Sequence, residues 1–222
     1  MGNTVIRVYD PSDRERLNDL FSRAGAGSPS GELWGHAASE RAMYLDPYLD
    51  LDPGSVFLAE TDGELVGYLT GCLDTARLPS EDERMTRAIS EHRLMLRPRA
   101  IGFFARALAD LAWAKLRRQE VVSGDFSDPR WPAHLHLNVA PEARGTGAAD
   151  ALMSAWFDRL AASGSPGCHL QTLVENTRAV RFFERMGFGA FGTTPVVPGI
   201  RYQRHRLHQL TMVRPSPTDA AP

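Results

Sequence analysis

Residues 141–153 read PEARGTGAADALM. A proline opens a turn, Arg144 follows, glycines stand at 145 and 147, and an alanine-rich apolar segment begins at Ala148. The residues just before it, AHLHLNVA (133–140), alternate as a strand does, so the stretch joins a strand to a helix. The first four N–H groups of a helix have no intrahelical partner, and the helix dipole places partial positive charge beside them. Glycine lets a ligand come close to the backbone. Arg144, Gly145, Thr146, Gly147, Ala148 and Ala149 therefore read as an anion cradle suited to a pyrophosphate. A glycine-rich strand-to-helix turn that binds nothing accounts for the same glycines equally well. Two nucleotide-binding patterns fit poorly. A P-loop carries Lys and then Ser or Thr after its last glycine, where this chain has Ala148 and Ala149. A dinucleotide fingerprint needs an acidic residue ending the next strand about twenty positions on, and here CHLQTLVE comes late and runs on into a helix.

Working outward, TVIRVYDPSDRERLNDLFSRA gives a strand, a cap at Asp10 with Pro11 at the first helical position, and a helix with Leu17, Leu20, Phe21 and Ala24 at helical spacing. GAGSPSG is a loop, followed by a helix bearing Trp34, Ala38, Arg41, Ala42 and Leu45 on one side and ending before Pro47. SVFLAETDGELVGYLTGCLDT is a β-hairpin turning at Asp62-Gly63. Residues 76–133 form a mainly helical insertion, in which Ile101, Phe104, Ala105, Leu108, Ala112 and Leu116 make an apolar stripe needing a sheet edge or a second subunit. Past the opening motif come a helix, the strand CHLQTLVE, the helix NTRAVRFFERM, and two strands around a Pro/Gly-rich connection. The reading is one mixed α/β domain over 1–214 with a disordered tail at 215–222.

The chain has 222 residues, 43% of them hydrophobic and 23% charged, which is ordinary for a globular protein. A net charge of −2 gives bulk electrostatics no hold on nucleic acid. Two cysteines do not make a disulfide framework, and no His/Cys cluster has zinc spacing, so no metal is expected. There is no apolar run of membrane-spanning length and no signal-peptide core, and the leading Met1-Gly2 lacks the Ser or Thr of a myristoylation signal. The expected setting is the cytoplasm, away from membranes.

LNVAPEARGTGAADALM resembles the acetyl-CoA-binding signature of the GNAT superfamily of N-acetyltransferases, Arg/Gln-x-x-Gly-x-Gly/Ala, filled here by Arg144, Gly147 and Ala149. VENTRAVRFFERMGF resembles that family's second signature and FLAETDGELVGYLTG its central hairpin, in family order. More narrowly, YLDPYLDLDPGSVFLAETDGELVGYLTGCLDT and WPAHLHLNVAPEARGTG are similar to bacterial relatives of the acetyltransferase-like domain of O-GlcNAcase, a subgroup with a long insertion after the hairpin. The resemblance implies a GNAT fold: a mixed, mostly antiparallel sheet, splayed at the cofactor strand, with helices on both faces. It also implies acetyl-CoA as cosubstrate and direct attack by an acceptor amine in a ternary complex. The backbone of Asn138, Val139 and Ala140 would pair with the pantetheine arm, the N–H groups of Arg144 to Ala149 would hold the pyrophosphate, and Asn176 would lie near the pantetheine or simply cap its helix. Phe183 stands where many relatives carry the tyrosine that protonates the leaving thiolate. Because a thiol has a pKa of about 8.5, its loss weakens catalysis without abolishing it. An acetyl-CoA-binding module without turnover is the alternative.

For the base, period-two alternation puts His134, His136 and Asn138 on one face of their strand and Leu135, Leu137 and Val139 on the core face. His136 then points into the cleft, either as general base with an apparent pKa of roughly 6–7 or as a hydrogen-bonded structural histidine. Asp74 and Glu175 are the carboxylate candidates, each also suited to a cap or surface charge. Tyr44, Asp46 and Tyr48 either line an acceptor pocket or form a solvated loop edge.

Overall fold

The computed structural model describes residues 4–24, 33–122 and 125–216. The loop expected at 25–31 falls wholly outside those ranges, and so do residues 217–222 of the expected tail. In chain order the elements are β1 (Thr4–Val8), α1 (Arg14–Ala24), α2 (Ala37–Tyr44), α3 (Asp46–Leu51), β2 (Val56–Thr61), β3 (Glu64–Cys72), α4 (Glu81–Glu91) and α5 (Pro98–Arg117). They continue with β4 (Ala133–Val139), α6 (Ala148–Ser163), β5 (Gly167–Leu173), α7 (Thr177–Arg185), β6 (Gly189–Phe191), β7 (Val196–Tyr202) and β8 (His205–Pro215).

Local chemistry accounts for the starts and turns. Asp10 caps the first helical turn, its side chain accepting from Ser12 N, with Pro11 at the first position. Asp62 (φ 52°) and Gly63 (φ 86°) both take left-handed backbone, the pairing that a two-residue hairpin turn requires. Ser80 and Glu83 form a reciprocal capping box on α4. Asn176 caps α7, accepting from Ala179 N at 3.3 Å.

The strands form one eight-stranded sheet in the order β1-β2-β3-β4-β5-β8-β6, with β7 also paired to β8. Only β4 and β5 run parallel, and their register covers two pairs, Ala133 with Cys168 and His134 with His169. Beyond those pairs the strands diverge, so the sheet opens at the strand feeding the glycine loop. On one face α6 lays Leu152, Met153, Trp156 and Leu160 against Leu69, Leu135 and Leu170 of the sheet. Each such fully buried side chain contributes roughly 1.5–3 kcal/mol. On the other face α1 and α3 bring Leu17, Leu20, Tyr48 and Leu49 onto Leu58, Tyr68 and Val56. The layered, mixed sheet with helices on both faces is the architecture expected from the resemblance.

The helix expected to end before Pro47 stops at Tyr44, and Pro47 itself sits in the first turn of α3, where its missing N–H costs nothing. Four other expectations need correction. The buried residues of α2 are Ser39 and Met43, not the Ala38 and Ala42 side. The chain end forms three strands rather than two, and β8 runs through Pro215. Ser216 is buried, its N–H bonded to Pro166 O, so residues 215 and 216 are ordered and do not belong to the expected disordered tail.

The fourth concerns α5. Its buried residues are Ala100, Phe103, Asp110 and Ala114, while Leu108 (67% exposed) and Leu116 (79%) of the expected stripe face outward. The helix is apolar around most of its circumference, so periodicity could not choose a face. A buried carboxylate did. Asp110 is 1% exposed and receives Arg201 at 2.6 Å, Arg206 at 2.8 Å and the N–H of Gly199 at 2.9 Å. These bonds tie the insertion to the β7–β8 hairpin.

Candidate active site

At the C-terminal end of β4 the chain presents its glycine loop. Gly145 (φ 84°) and Gly147 (φ 92°) adopt left-handed backbone, which costs an L-residue about 1–2 kcal/mol. A Cβ at either position would meet nothing within 4 Å, so the space above the loop is open. Gly147 is the N-cap of α6, and no side chain caps that helix end. Thr146 is turned back, its hydroxyl donating to Ala143 O at 2.7 Å. Arg144 has a buried Nε without a partner. Burial and then the neighbouring Arg178 pull its guanidinium below the ordinary value. An anion seated at this helix end would relieve that repulsion and take up the free N–H groups. The residues present fit a diphosphate.

The gap between β4 and β5 continues the cradle. Ala140 N donates to Val66 O at 2.8 Å, and Ala140 O accepts from Ala143 N at 3.0 Å. Ala140, one of the positions expected to pair with a pantetheine arm, is thus engaged inside the chain. In an antiparallel ladder the bonded pairs alternate, so Asn138 and His136 also turn their backbone groups toward β3. The groups facing the gap belong to Leu137 and Val139. Of the three expected positions, Val139 alone has its backbone aimed at the open side.

On the sheet face away from α6 lies a small cleft of about 70 Å³. His134, His136 and His169 line it from the sheet, Tyr44 and Tyr48 from α2 and α3, and Glu81, Arg84, Asp125 and Phe126 from the insertion. The insertion thus forms the far wall of the cleft. The core side chain Leu135 and its neighbours Leu137 and Val139 pack toward α6, as alternation expects.

His136 Nε2 lies 2.8 Å from the Tyr48 hydroxyl, and that hydroxyl lies 2.7 Å from His134 Nε2. Burial, followed by repulsion from Arg84 and His169, lowers His136 to about 4. The 6–7 expected from the sequence is therefore corrected: the ring is neutral across the physiological range. Burial likewise holds His134 well below its ordinary value and lowers His169. Glu81 moves the other way, raised by burial, with the Tyr44 hydroxyl donating to it at 3.4 Å.

The other candidates are placed elsewhere. Asp74 is exposed and accepts from Ala76 N at 3.1 Å, capping the turn after β3. Glu175 accepts from His208 N at 3.1 Å and lies 2.8 Å from His208 Nδ1, at the mouth of β5. Asp46 pairs with Arg14 at 3.4 Å. Phe183 is buried in the main core, its ring 5.8 Å from that of Phe188. His169, Thr75, Glu81, Arg84 and Asp125 had no sequence signal. They reach the cleft from four separate segments, and only the recurrence of histidine on adjacent strands hints at it.

Among the described residues no group of three His, Cys, Asp or Glu is placed to hold a metal, and no helix is long and apolar enough to cross a membrane.

An acetyltransferase (GNAT) family model matches residues 16–188. The chain therefore belongs to the GNAT acetyltransferase family, whose members use acetyl-CoA as cosubstrate. Solved structures share the fold at low identity. SsHAT is 23% identical with a TM-score of 0.58, over 95% of this chain and 98% of its own. YncA of Salmonella typhimurium, a putative acetyltransferase solved with acetyl-CoA, is 15% identical with a TM-score of 0.58, over 99% and 97%. Chaetomium thermophilum Naa20, solved with a bisubstrate analogue, is 19% identical with a TM-score of 0.55, over 97% and 88%.

Proposed function

We propose that the chain is an N-acetyltransferase that moves an acetyl group to the amine of a small molecule or an exposed amino group, by direct attack within a ternary complex. The observation that carries this reading is the meeting of two half-sites at β4. An uncapped helix end and an opened sheet edge lie at one end of the strand, and a cleft holding a neutral imidazole lies along its face. When bound, acetyl-CoA supplies an activated acyl carbon and a thiolate leaving group. The backbone of Arg144 to Ala149 would hold the diphosphate, Leu137 and Val139 would offer groups to the pantetheine arm, and Asn176 stands at the start of α7. His136 takes the proton that the acceptor nitrogen sheds; Asp74 and Glu175, engaged as a cap and with His208, are secondary candidates.

The long helical insertion supports kinship with the bacterial relatives of the O-GlcNAcase acetyltransferase-like domain. Two free, buried cysteines, Cys72 and Cys168, suit a reducing cytoplasm. The outward apolar face of α5 suits a second subunit. A second reading, an acetyl-CoA-binding module without turnover, is favoured by one observation: Phe183 offers no proton to a thiolate.

Replacing Gly147 would strain the loop as well as fill it, so Ala149→Glu is the cleaner test. A carboxylate in the first turn suits the helix dipole, by about 0.3–1 kcal/mol, yet repels a diphosphate. CoA affinity by calorimetry should fall at least tenfold, about 1.4 kcal/mol, with thermal stability kept. Unchanged affinity would place the cofactor elsewhere. Thiol release from acetyl-CoA across a panel of amines then separates the enzyme from the silent module.

A further inference from the structure

Five groups in the cleft wall form one continuous hydrogen-bond chain, and its proton positions follow from one end. The Pro132 carbonyl can only accept. The Thr75 hydroxyl, 2.8 Å away, must therefore donate to it. With that hydrogen committed, Thr75 Oγ1 can only accept from His134 Nδ1 at 2.9 Å, which places the His134 proton on Nδ1. His134 is neutral, so its Nε2 is a lone pair and accepts the Tyr48 O–H at 2.7 Å. The Tyr48 oxygen then accepts at 2.8 Å from His136 Nε2–H. His136 is neutral as well, and its remaining nitrogen, Nδ1, carries the free lone pair.

We infer that Thr75, His134 and Tyr48 are positioning residues that hold His136 in the Nε2–H tautomer and so make Nδ1 the proton acceptor of the transfer. The inference rests on the acetyltransferase reading for its chemistry, but not for the tautomer itself. The proton shed by the acceptor nitrogen bonds to Nδ1. His136 ends as imidazolium with its Nε2–H still held by the Tyr48 oxygen, while Tyr48 and His134 stay neutral, so no proton is gained or lost. The ionisable groups facing this chain are His169 from β5, Arg84 and Glu81 from α4, Tyr44 from α2 and Asp125 from the insertion. The Tyr48 side chain is 1% exposed and packs among Leu45, Leu49 and Tyr68, so its hydroxyl is held by more than its two histidines.

The test reads the tautomers directly, by long-range proton–nitrogen NMR of the histidine rings near pH 7, with no acceptor needed. The parent should show His134 as Nδ1–H and His136 as Nε2–H. In Thr75→Val the His134 proton should lose its place, while Thr75→Ser should keep the parent pattern. Tyr48→Phe, which retains the ring, should release His136 to a mixture of tautomers. It should also lower kcat ten- to a hundredfold while CoA affinity and the acetyl-CoA KM stay within twofold. Should Tyr48→Phe fail to fold, the Thr75 pair decides. His136 found as Nδ1–H in a parent that releases thiol would overturn the chain and leave the enzyme reading intact. The expected tautomers in a parent that releases no thiol with any amine would overturn the acetyl-transfer reading, and with it the role of Nδ1 as base.

Discussion

Gly71→Ala tests how tightly the sheet and α6 are locked together. A Cβ at Gly71 would stand 2.2 Å from Trp156 Cζ3 and 2.7 Å from both Cε3 and Cη2. Carbon atoms settle at roughly 3.5–4.0 Å, so the indole must retreat by about 1.3 Å. Trp156 is fully buried, packed among Leu152, Met153 and Leu160, and β3 is held on both sides by β2 and β4. Neither partner can yield alone. Overpacking costs about 1–3 kcal/mol, and a methyl that meets three ring atoms at once belongs at the top of that range. A loss of about 3 kcal/mol lowers Tm by about 6–12 °C in a chain of this length. Trp156 lies two turns along the helix whose N-terminus forms the cradle, so CoA affinity should fall with stability. The assay is denaturant unfolding of Gly71→Ala, Trp156→Phe and the double variant. Removing the indole benzo ring makes room for the methyl, so the double variant should be at least 1 kcal/mol more stable than additivity gives. Gly71→Ala within about 0.5 kcal/mol of the parent, or additivity in the cycle, would refute the reasoning.

Asp110→Ala strands two guanidiniums against α5 and should cost about 3 kcal/mol by denaturant unfolding; a loss below about 1 kcal/mol would show that solvent satisfies Arg201 and Arg206. Despite burial, the two arginines and the Gly199 N–H hold the Asp110 carboxyl below its ordinary value, so its contribution is present above the unfolded pKa of about 3.9 and is lost as pH falls further. The buried histidines act in a higher window. His136 is neutral in the fold down to about 4 but is protonated below 6.5 in the unfolded chain, so stability should decline as pH falls between those values, on the order of 3 kcal/mol from this ring. His136→Gln should flatten the decline in pH-dependent melting, and an unchanged slope would place the titration elsewhere.

The geometry of the glycine loop could be read from the sequence because it is local. Arg144 to Ala149 are consecutive, their N–H groups are left free by the start of a helix, and the left-handed φ angles of Gly145 and Gly147 belong to glycine wherever it stands. The Asp62-Gly63 hairpin, the Asp10 cap and the alternation of β4 were legible for the same reason. Properties that depend on a partner far along the chain were not. Whether His136 titrates near 6–7 or near 4 is set by burial beneath α3 and by Arg84, fifty-two residues away in the sequence. The face that α5 buries was decided by Asp110 meeting Arg201 and Arg206 across some ninety residues, against the pull of an apolar stripe. The histidine-lined cleft is likewise a tertiary product: Thr75, Tyr48 and His134 lie in separate segments, and only the packing of α3 on the sheet brings one tyrosine hydroxyl within reach of two imidazoles. Backbone conformation and hydrogen-bonding capacity are properties of neighbours in sequence. Desolvation and charge pairing are properties of neighbours in space, and the acid–base chemistry of this protein rests on the latter.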